Sequence, residues 1–516
     1  MYYYKTLKEK LISELKVQSS LAFTTDTWTS CATEGYLTLT VHYIDETWHL
    51  KHFVLSTIEV KDHHTGDHLA DVIIDICRDF QITDVHVSGI TTDNASNDNK
   101  ADMATHQVFR THTLQLSVKA GLKVKGIASA AAAARMLVGH FKKSTLAAND
   151  LRARQKQLGL PHHSLLQDFA TRWNSTFFMF ERLIEQGLAV FAVLHNPAVT
   201  SLSDARRFEL SDDVWRTIEE ITPVLKPLQI ATTTMSGSNS PTLSLVYPIV
   251  LGLLTKHLIV GDGDSVKLIQ FKQAVSQDLS SGFPANDDLC RHPAVLTCAL
   301  DPRYKSLRFL SEDQRQMVRD SIIQLEDPDN TNTTTNDRTV DPEAFPVHVK
   351  QEHEISAIQF LCGDLIDLTE EVSSPSSSFS LEYDTFLKEI VSGATDPLDL
   401  WKVHHTSYPR LARLTKLYLS IPGTSVPSER VVSDTGNLVT KRRASLIFLK
   451  GVLKLDYSEN DTQSSETVPT PAKQIKLEPQ EPVALPPLPQ LEIIEEYLGD
   501  GDHAVPDPPL PSLKGL

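Results

Sequence analysis

The stretch DVHVSGITTDNASND, residues 84–98, joins an apolar β-type run to an abrupt polar turn. Two valines, an isoleucine and two threonines up to Thr92 form a short β-branched run, which is typical of a strand. Asp93 and Asn94 then end the run, because both residue types favour turns. A carboxylate at a strand end is either a turn residue or a metal ligand. Choosing between the two requires further carboxylates that the fold brings to the same place.

The segments upstream predict the rest of a small sheet. We predict a strand over SLAFTTDTWTS that ends at Asp26, strands over 35–44 and 48–60, and a helix after Thr65. The DVHVSGITTD run is then a fourth strand, and QVFRT (107–111) is a candidate fifth. Three strands, a helix and a strand that returns beside the first form the order of an RNase H-like sheet. The sequence therefore predicts an α/β fold with an RNase H-like core.

That topology places the ends of the first and fourth strands side by side, with Asp26 and Asp93 at this edge. Adjacent carboxylates repel each other unless a hard divalent cation neutralises them, and Mg²⁺ or Mn²⁺ prefers oxygen ligands. Two such ions activate water and stabilise the leaving oxygen in phosphodiester cleavage. The sheet alone does not identify the third carboxylate among 66 acidic residues. Turn or capping roles therefore stay open for both aspartates.

Composition limits the class of protein. The chain of 516 residues is long enough for several domains, and its net charge of −17 argues against a protein that coats nucleic acid. A local basic groove is still compatible with that charge. No run reaches 18 apolar residues, so no membrane partner is expected. The five cysteines are scattered without zinc-finger spacing, which predicts a reducing compartment and no zinc site in this chain.

The chain is predicted to divide into five regions. An N-terminal helix covers 1–19, and the first part of the RNase H-like core covers 20–190. A long all-helical insertion with disordered loops covers 191–400, and a helical region at 401–457 completes the core. The acidic, proline-rich stretch 458–516 is predicted to be a disordered tail.

Six segments carry a family resemblance through their order. They are TTDTWTS (24–30), TTDNASN (91–97), THTLQLSV (111–118), DFATRWNST (168–176), ALDPRYKSL (299–307) and YPRLARLTKLYLSIPGTSVPSERVVSDTGNLVTKRRASL (408–446). Together they resemble a hAT-superfamily transposase, and especially its domesticated relatives, the zinc finger BED domain-containing proteins. The resemblance covers about residues 1–457, and its last segment resembles the highly specific hAT C-terminal dimerisation motif.

The resemblance implies the acidic residue that the sheet left open. Glu429 in PSER would complete a triad with Asp26 and Asp93, and the three would bind Mg²⁺ or Mn²⁺ if the protein is an active enzyme. The resemblance also implies that Trp173, beside Arg172, stacks on a flipped base at a transposon end. A core position for Trp173, and a carboxylate instead of a phosphate as the partner of Arg172, stay open as alternatives.

The dimerisation motif implies a homodimer or a higher oligomer, with contacts by three apolar residues, Tyr418, Leu419 and Ile421. Two departures from the family pattern bear on DNA binding. The chain is expected to begin after the place of the family's BED finger, which weakens the expected DNA partner. Phe109 also stands where the family tends to have Cys, three residues before His112.

Three functions follow as hypotheses. The first is a domesticated nuclear protein that dimerises and regulates transcription or chromatin without catalysis or a cofactor. The second is an active Mg²⁺-dependent DNA transposase that uses the Asp-Asp-Glu triad. The third is a SUMO E3 ligase-like regulator, as in some BED-type relatives. The patterns VKQE and IKLE make Lys350 and Lys476 candidate SUMO acceptors. Expected partners are a second copy, DNA, chromatin proteins or the SUMO machinery.

Overall fold

The structure is a computed structural model of the whole chain. It describes residues 2–29, 33–60, 66–83, 87–92, 108–110, 113–169, 172–283, 287–326, 357, 361, 379–389, 396–426 and 428.

A five-stranded mixed sheet lies in the N-terminal part of the described chain, in the order β3-β2-β1-β4-β5. Its strands are β1 (Leu21–Thr29), β2 (Gly35–Ile44), β3 (Leu50–Glu59), β4 (Val87–Thr92) and β5 (Val108–Arg110). β1, β2 and β3 pair antiparallel, whereas β4 runs parallel to β1 and β5 runs parallel to β4. This order confirms the predicted RNase H-like arrangement, with the fourth strand beside the first.

β1 extends further than the sequence predicted. The prediction that it ends at Asp26 is wrong, because its pairing with β2 continues from Asp26↔Thr38 to Thr29↔Gly35. The parallel ladder with β4, in contrast, ends at Thr24↔Thr91. Asp26 therefore lies inside the strand on the β2 side and two residues beyond the ladder on the β4 side.

Helices account for most of the remaining described residues. In chain order they are α1 (Tyr2–Lys16), α2 (Gly66–Asp79), α3 (Thr113–Leu122), α4 (Lys125–Lys143), α5 (Thr145–Leu158), α6 (Trp173–Leu194), α7 (Leu202–Phe208), α8 (Asp212–Met235), α9 (Leu243–Gly252), α10 (Val266–Ser281), α11 (Asp287–Cys290), α12 (Pro293–Leu300), α13 (Glu312–Glu326), α14 (Phe379–Lys388), α15 (Pro397–His404) and α16 (Pro409–Leu419). None of these described helices is long and apolar enough to cross a membrane.

One face of the sheet packs against α1 and α2. Alternate residues of the strands point to this face, as the period of two requires. They join apolar side chains of the two helices in one buried cluster, which includes Leu11, Leu21, Phe23, Leu39, Val41, Leu69 and Ile73. The opposite face of the sheet is therefore free to meet the helical and C-terminal parts of the chain.

The turn between β2 and β3 anchors the sheet to the C-terminal helices. Trp48, held at a φ of 63°, stacks on Trp401 of α15 with ring centroids 5.9 Å apart. Lys416 of α16 lies 5.2 Å from the Trp48 ring and 3.3 Å from the Glu46 carboxylate. The indole nitrogen of Trp401 donates to the Leu300 carbonyl at 3.1 Å. One hairpin thus contacts two separate helical segments.

The predicted region boundaries at 190 and 400 fall inside α6 and α15, so each helix continues from one predicted region into the next. The predicted tail at 458–516 lies outside the described residues.

Candidate acidic site and exposed turn

The second face of the sheet is lined with buried hydroxyl and imidazole groups. Thr24 of β1, Thr40 and His42 of β2 and Thr91 of β4 are each at most 3% exposed. Thr38 of the same face accepts a hydrogen bond from Trp28 Nε1 at 3.2 Å. Because buried polar groups require partners, this face cannot be covered by an apolar surface alone.

Asp26 lies on this polar face, two residues after Thr24 along β1. Its side chain is partly exposed, and its backbone pairs with Thr38. Asp93 and Glu429, the other two predicted triad positions, lie outside the described residues. The described residues nearest to them in sequence are Thr92 and Ser428.

Ser428 joins the C-terminal part of the chain to β1 and β2. Its side chain is fully buried, and its Oγ lies 2.8 Å from Thr24 Oγ1 and 3.1 Å from the Thr24 carbonyl oxygen. The same Oγ lies 3.1 Å from Thr40 Oγ1. Thr24 Oγ1 is also 2.9 Å from His42 Nε2. The residue before Glu429 is therefore fixed to the strand that carries Asp26.

The chain before Ser428 crosses the polar face of the sheet. We call residues 421–426 with Ser428 the crossing segment. At its start, the Pro422 carbonyl accepts a hydrogen bond from Thr91 Oγ1 of β4 at 2.8 Å. The next residue, Gly423, donates its backbone N–H to Thr242 Oγ1 at 2.8 Å. The crossing segment is thus held both by the sheet and by the residue before α9.

His42 is neutral in this environment. Burial, reinforced by the neighbouring His52, lowers the pKa of His42 well below its usual range. The two rings lie 6.0 Å apart between centroids.

Metal binding at the acidic site rests on residues that the structure describes only in part. Within the described residues, no group of three or more His, Cys, Asp or Glu side chains is placed to hold a metal ion. The donor set implied by the resemblance is all carboxylate, which suits Mg²⁺ or Mn²⁺ by its chemistry.

A second feature lies in DFATRWNST, at the start of α6. Asp168 is buried and accepts two hydrogen bonds from Arg135 Nε, at 2.7 and 2.8 Å, and one from Thr176 Oγ1 at 2.9 Å. Ser175 Oγ lies 2.7 Å from the Phe169 backbone nitrogen and donates to the Arg172 carbonyl at 2.6 Å. These contacts fix the backbone on both sides of the turn.

The turn presents Phe169 and Arg172 to solvent and buries Trp173. Phe169 is 66% exposed and Arg172 is exposed, whereas Trp173 is 3% exposed within the main hydrophobic core. Stacking of Trp173 on a base would require its ring to leave that core. Among the described residues, Trp173 Nε1 and Asn174 Oδ1 are buried without a hydrogen-bond partner. Phe169 is not among the residues predicted to contact DNA. An aromatic residue in a polar segment, three positions before Arg172, would have indicated it.

The three predicted dimerisation residues lie inside the protomer. Tyr418, Leu419 and Ile421 are 4%, 1% and 1% exposed, and all belong to the main hydrophobic core. Their burial follows from the packing of α16 against α12, α14 and β2. In this arrangement their side chains do not form a surface for a second copy. Lys350 and Lys476, the candidate SUMO acceptors, lie outside the described residues.

Three family descriptions match the chain along its length. The ZBED1 RNase-like domain matches residues 24–120, and the ZBED1 RNase-like helical domain matches residues 110–224. The hAT family C-terminal dimerisation region matches residues 382–451, which include the crossing segment. The chain belongs to the hAT superfamily of transposase-derived proteins.

Curated relatives of this hAT chain include BED-finger proteins and transposases. It is 28% identical to human zinc finger BED domain-containing protein 4, over 88% of this chain and 39% of the relative. It is 26% identical to the putative AC transposase of Zea mays, over 85% of this chain and 56% of the relative. A putative transcriptional regulator, tpeD of Talaromyces stipitatus, is 21% identical over 85% of this chain and 53% of the relative. The hAT chain therefore spans about two fifths to a little over half of these relatives.

Proposed function

We propose that this hAT chain is a dimeric nuclear protein that binds DNA and regulates transcription, with DNA binding independent of DNA cleavage. The match to the hAT dimerisation region supports self-association. The names of the relatives, putative transposases and a putative transcriptional regulator, support a role on DNA in the nucleus.

The Phe169–Arg172 turn carries the DNA-binding proposal. An exposed aromatic ring beside an exposed arginine offers a stacking surface for a base and a cation for a phosphate. The turn opens directly into α6, a helix of 22 residues whose first backbone N–H groups favour an anion. Asp168 and Ser175 hold the described backbone on either side of the turn, which lowers the ordering cost of binding.

The charge of the surrounding sequence agrees with this role. Residues 142–172 contain six Lys or Arg and two Asp, in a chain whose net charge is −17. The basic residues are Lys142, Lys143, Arg152, Arg154, Lys156 and Arg172. A locally basic segment attracts the phosphate backbone even when the whole protein is acidic.

DNA binding by the full chain tests the proposal. The measurement is fluorescence anisotropy with a labelled duplex that has single-stranded ends. Phe169→Ala is expected to weaken binding about 5- to 100-fold, the range for loss of one stacked base. Arg172→Gln is expected to weaken binding and to reduce its dependence on salt. The control is Phe191→Ala, which removes a ring that is 57% exposed near the other end of α6. Equal affinities for the control and both turn variants would reject the turn as the DNA contact.

The oligomeric state tests the other half of the proposal. Sedimentation equilibrium of the full chain is expected to give twice the 57.4 kDa mass of one copy. A single-chain mass across the accessible concentration range would reject self-association.

Metal-dependent DNA cleavage is a second candidate, which the register of the sheet favours. Thr24 and Thr91 are paired neighbours on parallel strands, and Asp26 and Asp93 each follow two positions later. Ser428, which precedes Glu429, is hydrogen bonded to Thr24. These three carboxylates would hold Mg²⁺, which activates water and stabilises the leaving oxygen when bound. In the reaction, water forms a new P–O bond as one ester P–O bond breaks.

Nicking of supercoiled DNA in Mn²⁺ distinguishes this candidate from binding alone. Asp26→Asn is expected to abolish nicking and to retain DNA binding through the Phe169–Arg172 turn. Asp71→Asn, which changes an exposed carboxylate on α2, serves as the control and is expected to nick like the wild type. Nicking that survives Asp26→Asn would come from another source and would reject this candidate.

A further inference from the structure

The outer face of α6 carries three apolar side chains that stay exposed in the described part of the chain. Ile184, Leu188 and Phe191 are 41%, 71% and 57% exposed, and we call these three residues the α6 stripe. The opposite face of the helix is buried in the main hydrophobic core by Leu183, Ala189, Val190 and Val193. One apolar face of α6 therefore packs against its own chain, and a second one faces solvent.

The spacing of the α6 stripe is that of a contact between two helices. Its residues follow one another by four and then three positions, so they lie on one side of α6 over two turns. Alternating steps of this kind let apolar side chains insert between the side chains of a second helix. Single exposed leucines are ordinary on a protein surface, whereas an aligned apolar row indicates a contact.

Polar contacts hold the α6 stripe in place at both ends. Near the C-terminal end, the His195 ring packs on Phe191 with centroids 4.1 Å apart, and its Nε2 lies 3.5 Å from the Glu209 carboxylate. Near the N-terminal end, Arg182 lies 3.0 Å from Glu185. The surface is thus ordered within its own chain, which lowers the ordering cost of binding.

α8 adds an aromatic ring beside the α6 stripe. A Cβ at Gly187, between the stripe residues in sequence, would lie 3.5 Å from Cη2 of Trp215. Trp215 is only partly buried, and it packs against the main hydrophobic core. Because tryptophan is enriched at protein interfaces, its position here extends the surface that a partner can contact.

The charge around the α6 stripe is mostly negative. Five carboxylates and two arginines stand within four positions of a stripe residue or of Trp215. They are Glu181, Glu185, Asp212, Asp213 and Glu219, with Arg182 and Arg216. Lys267, which lies 2.8 Å from Asp213, still leaves an excess of negative charge. An acidic border attracts lysine and arginine and repels the phosphates of nucleic acids and of anionic lipids.

We propose that the α6 stripe is the docking site for a basic amphipathic helix of another protein. The apolar residues of that helix follow the same steps of three and four, and lysine or arginine flanks them. This surface goes beyond the DNA contact proposed at the Phe169–Arg172 turn and does not depend on it.

A second copy of this chain fits the α6 stripe less well than a basic helix does. A twofold contact brings the same surface of both copies together, so the two acidic borders would repel each other. A standard stable interface also uses about 20–30 residues on each side. Three apolar side chains over two helical turns suit a short helical segment instead.

A synthetic helical peptide tests the proposal with the full chain. The probe is a fluorescein-labelled peptide with leucine at alternating steps of three and four, lysine at the flanking positions and alanine elsewhere. A matched peptide has glutamate in place of lysine. In fluorescence anisotropy at low salt, we expect the lysine peptide to bind saturably. The glutamate peptide should bind at least about 10-fold more weakly, because its charges face the acidic border.

Leu188→Ser removes the most exposed side chain of the α6 stripe. It is expected to weaken binding of the lysine peptide about 10- to 100-fold, the range for loss of one buried leucine side chain. Its thermal unfolding should match that of the wild type, because the side chain is 71% exposed. Ile184→Ser tests the same stripe one turn earlier. The control is Leu381→Ser, at a site 49% exposed on α14, which packs against α13 and α16. It should bind the peptide like the wild type.

Sedimentation of the same variants tests the other occupant. We expect Leu188→Ser to keep the sedimentation mass of the wild type, and a lower mass would assign the stripe to a contact between copies and overturn the proposal. Equal peptide affinities of the wild type, Leu188→Ser and Leu381→Ser would also overturn it. So would equal affinities of the two peptides for the wild type, or the absence of binding by both.

Discussion

The hydroxyl oxygens of Thr24 and Ser428 lie 2.8 Å apart, although 404 positions separate the two residues in the chain. The RNase H-like sheet is therefore complete on its polar face only when the C-terminal part of the chain has returned to it. The C-terminal part of the chain also packs Trp401 against Trp48, which lies in the turn between β2 and β3. Contacts of such large sequence separation slow folding, because closing the intervening loop costs conformational entropy before the contact stabilises the chain.

Gly423 is expected to tolerate no side chain. A Cβ at this position would lie 2.8 Å from the Thr242 carbonyl oxygen and 2.9 Å from Val246 Cγ2. Because the closest atom belongs to the backbone, Gly423→Ala should lower the free energy of unfolding by about 1–3 kcal/mol. The measurement is urea denaturation followed by tryptophan fluorescence.

Gly263→Ala is the matched control for this change. A Cβ at position 263 would meet nothing within 4 Å, so the free energy of unfolding should stay the same or rise slightly. Similar losses at both glycines would show that the close approach of Gly423 to Thr242 is not the cause.

Trp401 is expected to be the most costly aromatic residue to truncate at the junction of the sheet and the C-terminal helices. It is fully buried, stacks on Trp48 and on Phe386, and donates to the Leu300 carbonyl. Trp401→Ala should therefore cost about 3–5 kcal/mol of unfolding free energy. Val403→Ala, two residues later at a site 70% exposed, should change it by less than about 0.5 kcal/mol. Comparable effects of the two changes in thermal unfolding would contradict this assignment.

The elements that sequence predicted well are those that local pattern determines. β2 has the predicted bounds of 35–44. Its alternation is contained in the segment itself. The end of β1 was missed because Thr27–Thr29 are held in the strand by pairing with β2, which is a contact to another segment.

Side-chain exposure was the part of the candidate site that the sequence did not determine. Trp173 and Leu419 are apolar residues in family motifs, and an apolar residue type is compatible both with a ligand contact and with a protein core. The structure buries both, and it exposes Phe169 instead. Which side of a helix or turn faces solvent depends on packing partners far along the chain. Local periodicity carries no information about those partners.

Leu419 is expected to act on folding and not directly on self-association. Its side chain is 1% exposed within its own chain, so Leu419→Ala should lower the free energy of unfolding by about 2–5 kcal/mol. The native fraction should keep the sedimentation mass of the wild type, because the side chain offers no surface to a second copy. Chemical denaturation and sedimentation on the same samples make the comparison. A variant with wild-type unfolding free energy and half the mass would instead place Leu419 in the dimer contact.

His42 is expected to make the fold sensitive to mild acid. The pKa of His42 is lowered by burial and by His52, so the folded protein holds this ring neutral below the usual histidine pKa of about 6.5. The contribution of neutral His42 to the free energy of unfolding is therefore fully present above a pH of about 6.5. It is lost as the pH falls below that value, because only the unfolded chain takes up the proton. The free energy of unfolding should therefore fall between pH of about 7.5 and pH of about 5.5, by on the order of 1 kcal/mol for this one group.

Urea denaturation at both pH values, with wild type and His42→Gln, measures this contribution. Glutamine keeps a polar group near Thr24 Oγ1 and cannot take up a proton, so the variant should lose less stability than the wild type over this range, by on the order of 1 kcal/mol. Other buried histidines, such as His292, whose pKa is also lowered by burial, contribute equally to both proteins and cancel in the difference. An identical loss of stability in the two proteins would mean that His42 is already charged in the fold, or that it does not titrate in this range.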